Sequence, residues 1–289
     1  MKRLAARVIE RLWRPVFAAA GYGLGQRPAM WASRGGGRIL IVAPHPDDEA
    51  IGCVGTVLAH VAARDRVWVA IATDGRRART GRDPQTVAAA RRAEAQAAAQ
   101  LMQVERLEWL GFAEGDWSVS ELASRLRSLL EDLAPDVVYA PSLIDFHPEH
   151  LKVAHALALA LEAAAARRPS NLTIRIYSVS VPLTPRLVNL IADVSSVMPR
   201  CRAVLAAYAS QAGSIECSYR QRRYSALLQR MSGEIEEFWQ LPAEHYVRLH
   251  REPPSARPCA FRGLRHFPLT DPLAYLVGSG ERRRLRSSG

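Results

Sequence analysis

Between residues 38 and 180, short apolar runs alternate with longer Ala- and Leu-rich stretches, and this alternation limits the possible folds more than any other feature. Residues 38–43, 67–73 and 136–141 are brief, apolar at consecutive positions and rich in β-branched side chains, the pattern of strands buried on both faces. A weaker strand is expected over 106–112 and an alternating one over 173–181. Helices are expected over 50–63, 85–102, 119–133 and 148–167. Such alternation implies right-handed crossovers and a parallel sheet covered by helices on both faces. The expected class is α/β, a Rossmann-like, mostly parallel sheet with helices on both faces, plus a mostly helical C-terminal extension. Beyond 185 the pattern reads as helices over 199–211 and 215–231, with a last strand over 244–249. By expectation the chain divides into an amphipathic extension (1–36), a main domain (37–250) and an irregular tail (251–289).

With 289 residues, 48% apolar and 23% charged, the chain can bury a real core and is not a disordered segment. Its net charge is +11, yet only Lys2 and Lys152 are lysines, so 39 − 2 = 37 basic residues are arginines. Heavy Ala and Arg use reflects base composition as much as function, and no aromatic-basic nucleic-acid motif accompanies it, so no nucleic-acid partner is expected. Cys53, Cys201, Cys217 and Cys259 are widely spaced, which argues against a thiolate metal site, a redox motif or a disulfide scaffold. Lys2, Arg3, Arg7, Arg11 and Arg14 interleave with Leu4, Val8, Leu12 and Phe17 at helical spacing. Arg11 and Arg14 interrupt what would be a signal-peptide core. The expectation is a cytoplasmic protein with a weak peripheral contact at the cytoplasmic face of the membrane through residues 1–17.

In open parallel sheets, ligands sit beyond the carboxyl ends of the strands. Here polar clusters follow Ala43, Thr73 and Pro141. The first is Pro44-His45-Pro46-Asp47-Asp48-Glu49, one histidine and three acids between a buried strand and a helix. His45 and Asp48 are three residues apart, so one turn can aim both at a point, and imidazole and carboxylate are good zinc ligands. The third is Asp145-Phe146-His147-Pro148-Glu149-His150. Either His147 or His150 could complete a two-histidine, one-aspartate site with an open position, the mark of a catalytic zinc. The other histidine and an unused carboxylate would then be free to move protons.

His45-Pro46-Asp47-Asp48-Glu49 followed by His147-Pro148-Glu149-His150 resembles the LmbE-like/PIG-L family of zinc-dependent N-acetylglucosamine deacetylases. The resemblance covers about residues 37–215 and includes Thr73-Asp74-Gly75, Arg91 and Glu94, Leu110-Gly111-Phe112 and Tyr208-Ala209-Ser210-Gln211. It implies one zinc per chain on His45, Asp48 and His150, with Asp47 as general base. His147 would protonate the leaving amine or stabilise the oxyanion. Arg91 and Asp116 would bind substrate, and Trp117 is a candidate for stacking on a sugar ring. Asp145 and Glu149 would stand behind the site, Glu149 as a hydrogen-bond partner that tunes His147, although the family usually has Asp where this chain has Glu149. The implied reaction releases acetate from an N-acetylglucosamine-type sugar or conjugate. The alternative is a related zinc amidohydrolase on another N-acyl substrate. Arg76, Arg77, Arg79 and Arg82 make the loop after Thr73 cationic, which favours an anionic group on the conjugate, and the membrane contact expected of residues 1–17 would suit a lipid-linked one. A basic binding protein without catalysis is the reading from a different class. It leaves the filled metal and base positions unexplained. His60 and His155 read as structural, and one of His245, His250 and His266 as a neighbour of the cleft.

Overall fold

The computed structural model describes residues 12–256 apart from 22–26, 79, 142, 146, 168 and 170. Residues 1–11 and 257–289 lie outside the described part, and with them most of the basic N-terminal segment, Cys259 and His266. Residues 12–21 are helical (α1). Phe17 of α1 is fully buried against Tyr224 and Leu228, while Leu12 and Val16 face solvent. Among the described residues, no helix is long and apolar enough to cross a membrane.

The elements then run β1 (Ala29–Met30), β2 (Arg38–Ala43), α2 (Asp48–Ala62), β3 (Arg66–Thr73), α3 (Pro84–Met102), β4 (Arg106–Phe112), α4 (Val119–Leu133), β5 (Val137–Ala140), α5 (Pro148–Ala163) and β6 (Thr173–Ile176). They continue as α6 (Thr184–Leu187), β7 (Leu190–Asp193), α7 (Met198–Ala206), α8 (Ala212–Leu228), β8 (Ile235–Pro242) and α9 (Ala243–His250). One sheet holds the strands in the order β1-β7-β8-β6-β5-β2-β3-β4. Every pairing is parallel except those of β8, which runs against both β6 and β7.

Period-two alternation sorts each central strand onto both faces. Leu40 and Val42 pack with Leu122, Leu126 and Leu157 of α4 and α5. Their neighbours Ile39 and Ile41 pack with Val54 and Val57 of α2 and Ala98 of α3. Helices therefore cover both faces, as the alternation of elements required.

The last expected strand, over 244–249, is a correction: this stretch is α9. Its buried residues Ala243, Tyr246, Val247 and His250 recur at three and four, a helical period. The strand lies just before it, as β8, and β7 is a second strand in a region expected to be mostly helical. The strand expected over 173–181 ends at Ile176.

Candidate metal centre and its surroundings

From β2 the chain winds outward through β3 and β4, then returns to β5 on the other side of β2. That reversal opens a crevice at the carboxyl ends of β2 and β5, where an open α/β sheet places its ligands. The first cluster leaves β2 and the third leaves β5, so the topology brings together two segments about a hundred residues apart.

Their side chains meet closely. His45 Nδ1 and His150 Nε2 are 3.1 Å apart, and Asp48 Oδ2 lies 3.2 Å from each. Two ring nitrogens facing each other over one carboxylate oxygen form a poor hydrogen-bonding arrangement but a good metal site. Donors on a tetrahedral zinc with bonds of about 2.0–2.1 Å stand about 3.3–3.4 Å apart. His45, Asp48 and His150 therefore fit such an ion. Ring nitrogens of His45, His147 and His150 also lie within 4.8 Å of one another, a second possible donor set. The tighter triangle with Asp48 is the better one, and it leaves His147 free. The His147 ring stands edge-on to His45, with centroids 4.8 Å apart, and its Nδ1 is buried without a hydrogen-bond partner among the described residues.

Carboxylates stand behind both His45 and His150, the usual means of fixing a metal-binding imidazole. Asp145 Oδ2 accepts from His150 Nδ1 at 2.9 Å and from Ser180 N, while Oδ1 accepts from His147 N. Glu114 Oε1 lies 3.3 Å from His45 Nε2, and its Oε2 accepts from Arg77 N. Burial opposes ionisation of Asp48 and Asp145, but the neighbouring histidines hold both below the usual carboxylate range. Burial likewise opposes the His150 cation, and Asp48 and Asp145 override it, raising His150 well above an ordinary histidine. Burial also works against charging Glu114, yet His45 pulls it down to about 2.

Asp47 sits beside this group. Its φ of 119° is in the left-handed region, a conformation that costs energy and that Asp tolerates better than most residues. Oδ1 accepts from Arg91 Nη2 at 2.6 Å. Burial lifts Asp47 to about 7 against the pull of Arg91. The next acid, Glu49, is equally enclosed. Tyr208 Oη donates to its Oε1, and its Oε2 accepts from Asp47 N. Burial raises Glu49 to about 7, with the Tyr208 bond opposing.

The remaining expected residues are placed as follows. Arg91 is in the centre but turned inward, onto Asp47, Pro46 O and Gly75 O. Asp116 is exposed, on the tight turn where Ala113 and Asp116 bridge. Glu149 accepts from Trp117 Nε1 and Gly115 N rather than buttressing His147. Lys152 Nζ sits 3.9 Å from the centroid of the Trp117 ring, so one face of that ring is already occupied. Arg76 is paired with Asp74, and Arg77 is exposed beside Gly115. His60 is buried between Asp65 and Tyr139, and His155 bonds the His250 carbonyl, both structural as expected. His245 packs on Trp239 and His250 on Tyr246. Glu114 and Tyr208 also belong to the centre, and neither lies in the histidine-acid clusters that mark it in the sequence. Glu114 stood in view as the residue before the Gly115-Asp116-Trp117 turn.

Residues 40–161 match the family described as PIG-L, GlcNAc-PI de-N-acetylase. That span runs from β2 into α5 and holds His45, Asp47, Asp48, His147 and His150. No curated protein matches the sequence. Among solved structures, the fold is similar to N,N'-diacetylchitobiose deacetylase from Pyrococcus horikoshii complexed with its inhibitor, with TM-score 0.62 and 23% identity over 73% of this chain and 86% of that one. It is similar to teicoplanin deacetylase Orf2 in its zinc-inhibited form, with TM-score 0.54 and 18% identity over 71% and 98%. It is also similar to GalB, the 4-carboxy-2-hydroxymuconate hydratase of Pseudomonas putida KT2440, with TM-score 0.60 and 18% identity over 70% and 95%.

Proposed function

Given that the chain carries a PIG-L family domain over residues 40–161, we propose that it is a zinc-dependent hydrolase that removes the N-acetyl group from an N-acetylglucosamine-type sugar conjugate and releases acetate. The observation that carries this reading is the triangle of His45 Nδ1, Asp48 Oδ2 and His150 Nε2 at 3.1–3.2 Å, with a buried acid, Asp47, next to it but outside it. The hydratase among the similar structures means that the fold alone does not choose the reaction, so the site must. Two similar structures are by name deacetylases, of N,N'-diacetylchitobiose and of teicoplanin, which supports an N-acetylated sugar conjugate as substrate. Arg77, exposed one carboxylate away from His45, favours an anionic group on that conjugate.

His45, Asp48 and His150 would hold one zinc. When bound, it supplies Lewis acidity, which brings the pKa of a coordinated water to about 7. Asp47 does the proton work. Its Oδ1 is held by Arg91, so Oδ2 takes the proton of the attacking water and returns it to the amine nitrogen as the C–N bond breaks. His147 Nδ1, without a partner among the described residues, is available to the acyl oxygen as negative charge develops there. Arg91 and Glu49 keep Asp47 in its left-handed conformation from both sides.

The test pairs Asp47→Asn with a panel of N-acetylated sugars and nucleotide sugars assayed for acetate release. Asp47→Asn keeps stoichiometric zinc and loses about 10²–10⁴-fold in rate, the usual worth of a general base. A variant within a few-fold of wild type overturns the role of Asp47. A zinc-loaded wild type that releases another acyl group, and no acetate, favours the broader amidohydrolase.

A further inference from the structure

Helix α2 is not continuous. Its backbone leaves helical geometry at Cys53 (φ −153°, ψ 25°), which separates a short first piece, carrying Asp48 and Glu49, from the longer remainder. Such a break orphans carbonyls on one side and amide N–H groups on the other, and both are buried here. A cysteine and one ion pair take them up. Cys53 Sγ donates to Glu49 O. Arg222 Nη2, from α8, donates to Ala50 O at 3.2 Å and Ile51 O at 2.9 Å. Glu236, from β8, accepts Gly55 N at 3.0 Å and Thr56 N at 2.8 Å, and Thr56 Oγ1 at 2.7 Å. Arg222 and Glu236 bond each other at 2.8 Å, with side chains only 3% and 1% exposed.

The charges match the break. A guanidinium caps the carbonyl end of the first piece, and a carboxylate caps the amide end of the second, each facing the helix-dipole end of opposite sign. The first piece has no slack on its other side, because a Cβ on Gly52 would lie 2.3 Å from the Tyr177 ring. Both charged residues lie beyond residue 161, outside the segment that matches the family.

We propose that Arg222 and Glu236 are positioning residues for the reaction. By splinting the break in α2, they set the angle at which the first piece presents Asp47 and Asp48 to His150. This rests on the reading of the His45 centre as a metal-dependent hydrolase. Removing one partner would leave a buried charge unpaired, whereas replacing both with apolar side chains of similar size leaves no buried charge and takes away only the caps on the break. The experiment therefore compares wild type, Glu236→Gln and the double variant Arg222→Met/Glu236→Leu. Cobalt(II) alone is titrated by its visible absorption, and kcat and KM are measured for acetate release. The double variant unfolds cooperatively but binds cobalt(II) about ten- to a hundredfold more weakly, the usual worth of a supporting group behind a metal ligand. Its kcat falls by a similar factor with KM within about twofold, and Glu236→Gln falls between it and wild type. A folded double variant with wild-type cobalt affinity, absorption spectrum and kcat overturns the proposal. If the double variant does not fold, Glu236→Gln with wild-type values overturns it. A wild-type chain that binds no cobalt overturns the metal-site reading itself, a result distinct from both.

Discussion

Replacing Asp145 by Asn tests the metal centre without touching a ligand. The carboxylate accepts three hydrogen bonds on two oxygens: His150 Nδ1 and Ser180 N on Oδ2, and His147 N on Oδ1. An amide has one oxygen, so one side must present N–H to N–H. The less costly flip keeps oxygen toward His150 and loses the 2.8 Å bond from His147 N. A hydrogen bond to a charged acceptor contributes about 1.5–3 kcal/mol, and the surviving bond from His150 weakens when its acceptor becomes neutral. Stability should fall by about 2–4 kcal/mol. Metal affinity should fall for a separate reason: even in the favoured flip, a neutral amide oxygen holds the His150 Nδ1 proton less firmly than a carboxylate and makes Nε2 a weaker donor. Asp145 holds the proton of His150 on Nδ1 and leaves Nε2, 3.1 Å from His45 Nδ1, as the donor. The other flip would donate to Nδ1 and put the proton on Nε2, where no metal can bind. Competition of the purified variant against a chromophoric chelator should show zinc bound about ten- to a hundredfold more weakly, with cooperative unfolding retained. Zinc affinity within twofold of wild type would refute the argument that the carboxylate charge behind His150 strengthens it as a ligand.

Tyr208→Phe removes the only side-chain donor described for Glu49 Oε1; it should cost about 2 kcal/mol and lower Tm by roughly 4–8 °C, and an unchanged Tm refutes a structural role for that bond. His60 is pushed down to about 4, chiefly by burial, so the unfolded chain takes up its proton near 6.5 while the folded chain does not. The contribution of His60 to stability should therefore hold above pH 6.5 and fall by about 3 kcal/mol as the pH drops toward 4, read as the difference between wild type and His60→Gln. A His60 ring that titrates above 6 by NMR contradicts this. Co-sedimentation with anionic liposomes should be salt-sensitive and should be lost when Arg7, Arg11 and Arg14 are changed to Glu, since each basic residue near such a surface contributes about 1 kcal/mol. Equal sedimentation of the variant removes the N-terminal segment from membrane binding.

What could be read from the sequence, and what could not, divides along a physical line. β2, β3, α4 and the strand leading to His147 are legible because buried parallel strands are apolar at every position, and α4 is apolar at 122, 126 and 130. The two clusters proposed to hold the metal are legible because each is short and contiguous, and each sits where a strand ends. The C-terminal third hides its logic. β8 reads Ile-Glu-Glu-Phe-Trp-Gln-Leu-Pro, and Glu236 and Glu237 make it look like solvated chain, yet both are buried and bonded. Arg222 stands among Arg220, Gln221 and Arg223 and carries no local sign that it alone enters a broken helix 170 residues away in sequence. Tyr208 looks like any helix-end tyrosine until Glu49 is found against its hydroxyl. Residues that ligate or transfer protons cluster in sequence because turns at strand ends present them together. The residues that hold those turns act through burial and charge pairing across the chain. Only the fold brings them to the places they support, and in this protein three of them, Tyr208, Arg222 and Glu236, come from beyond the segment that matches the family.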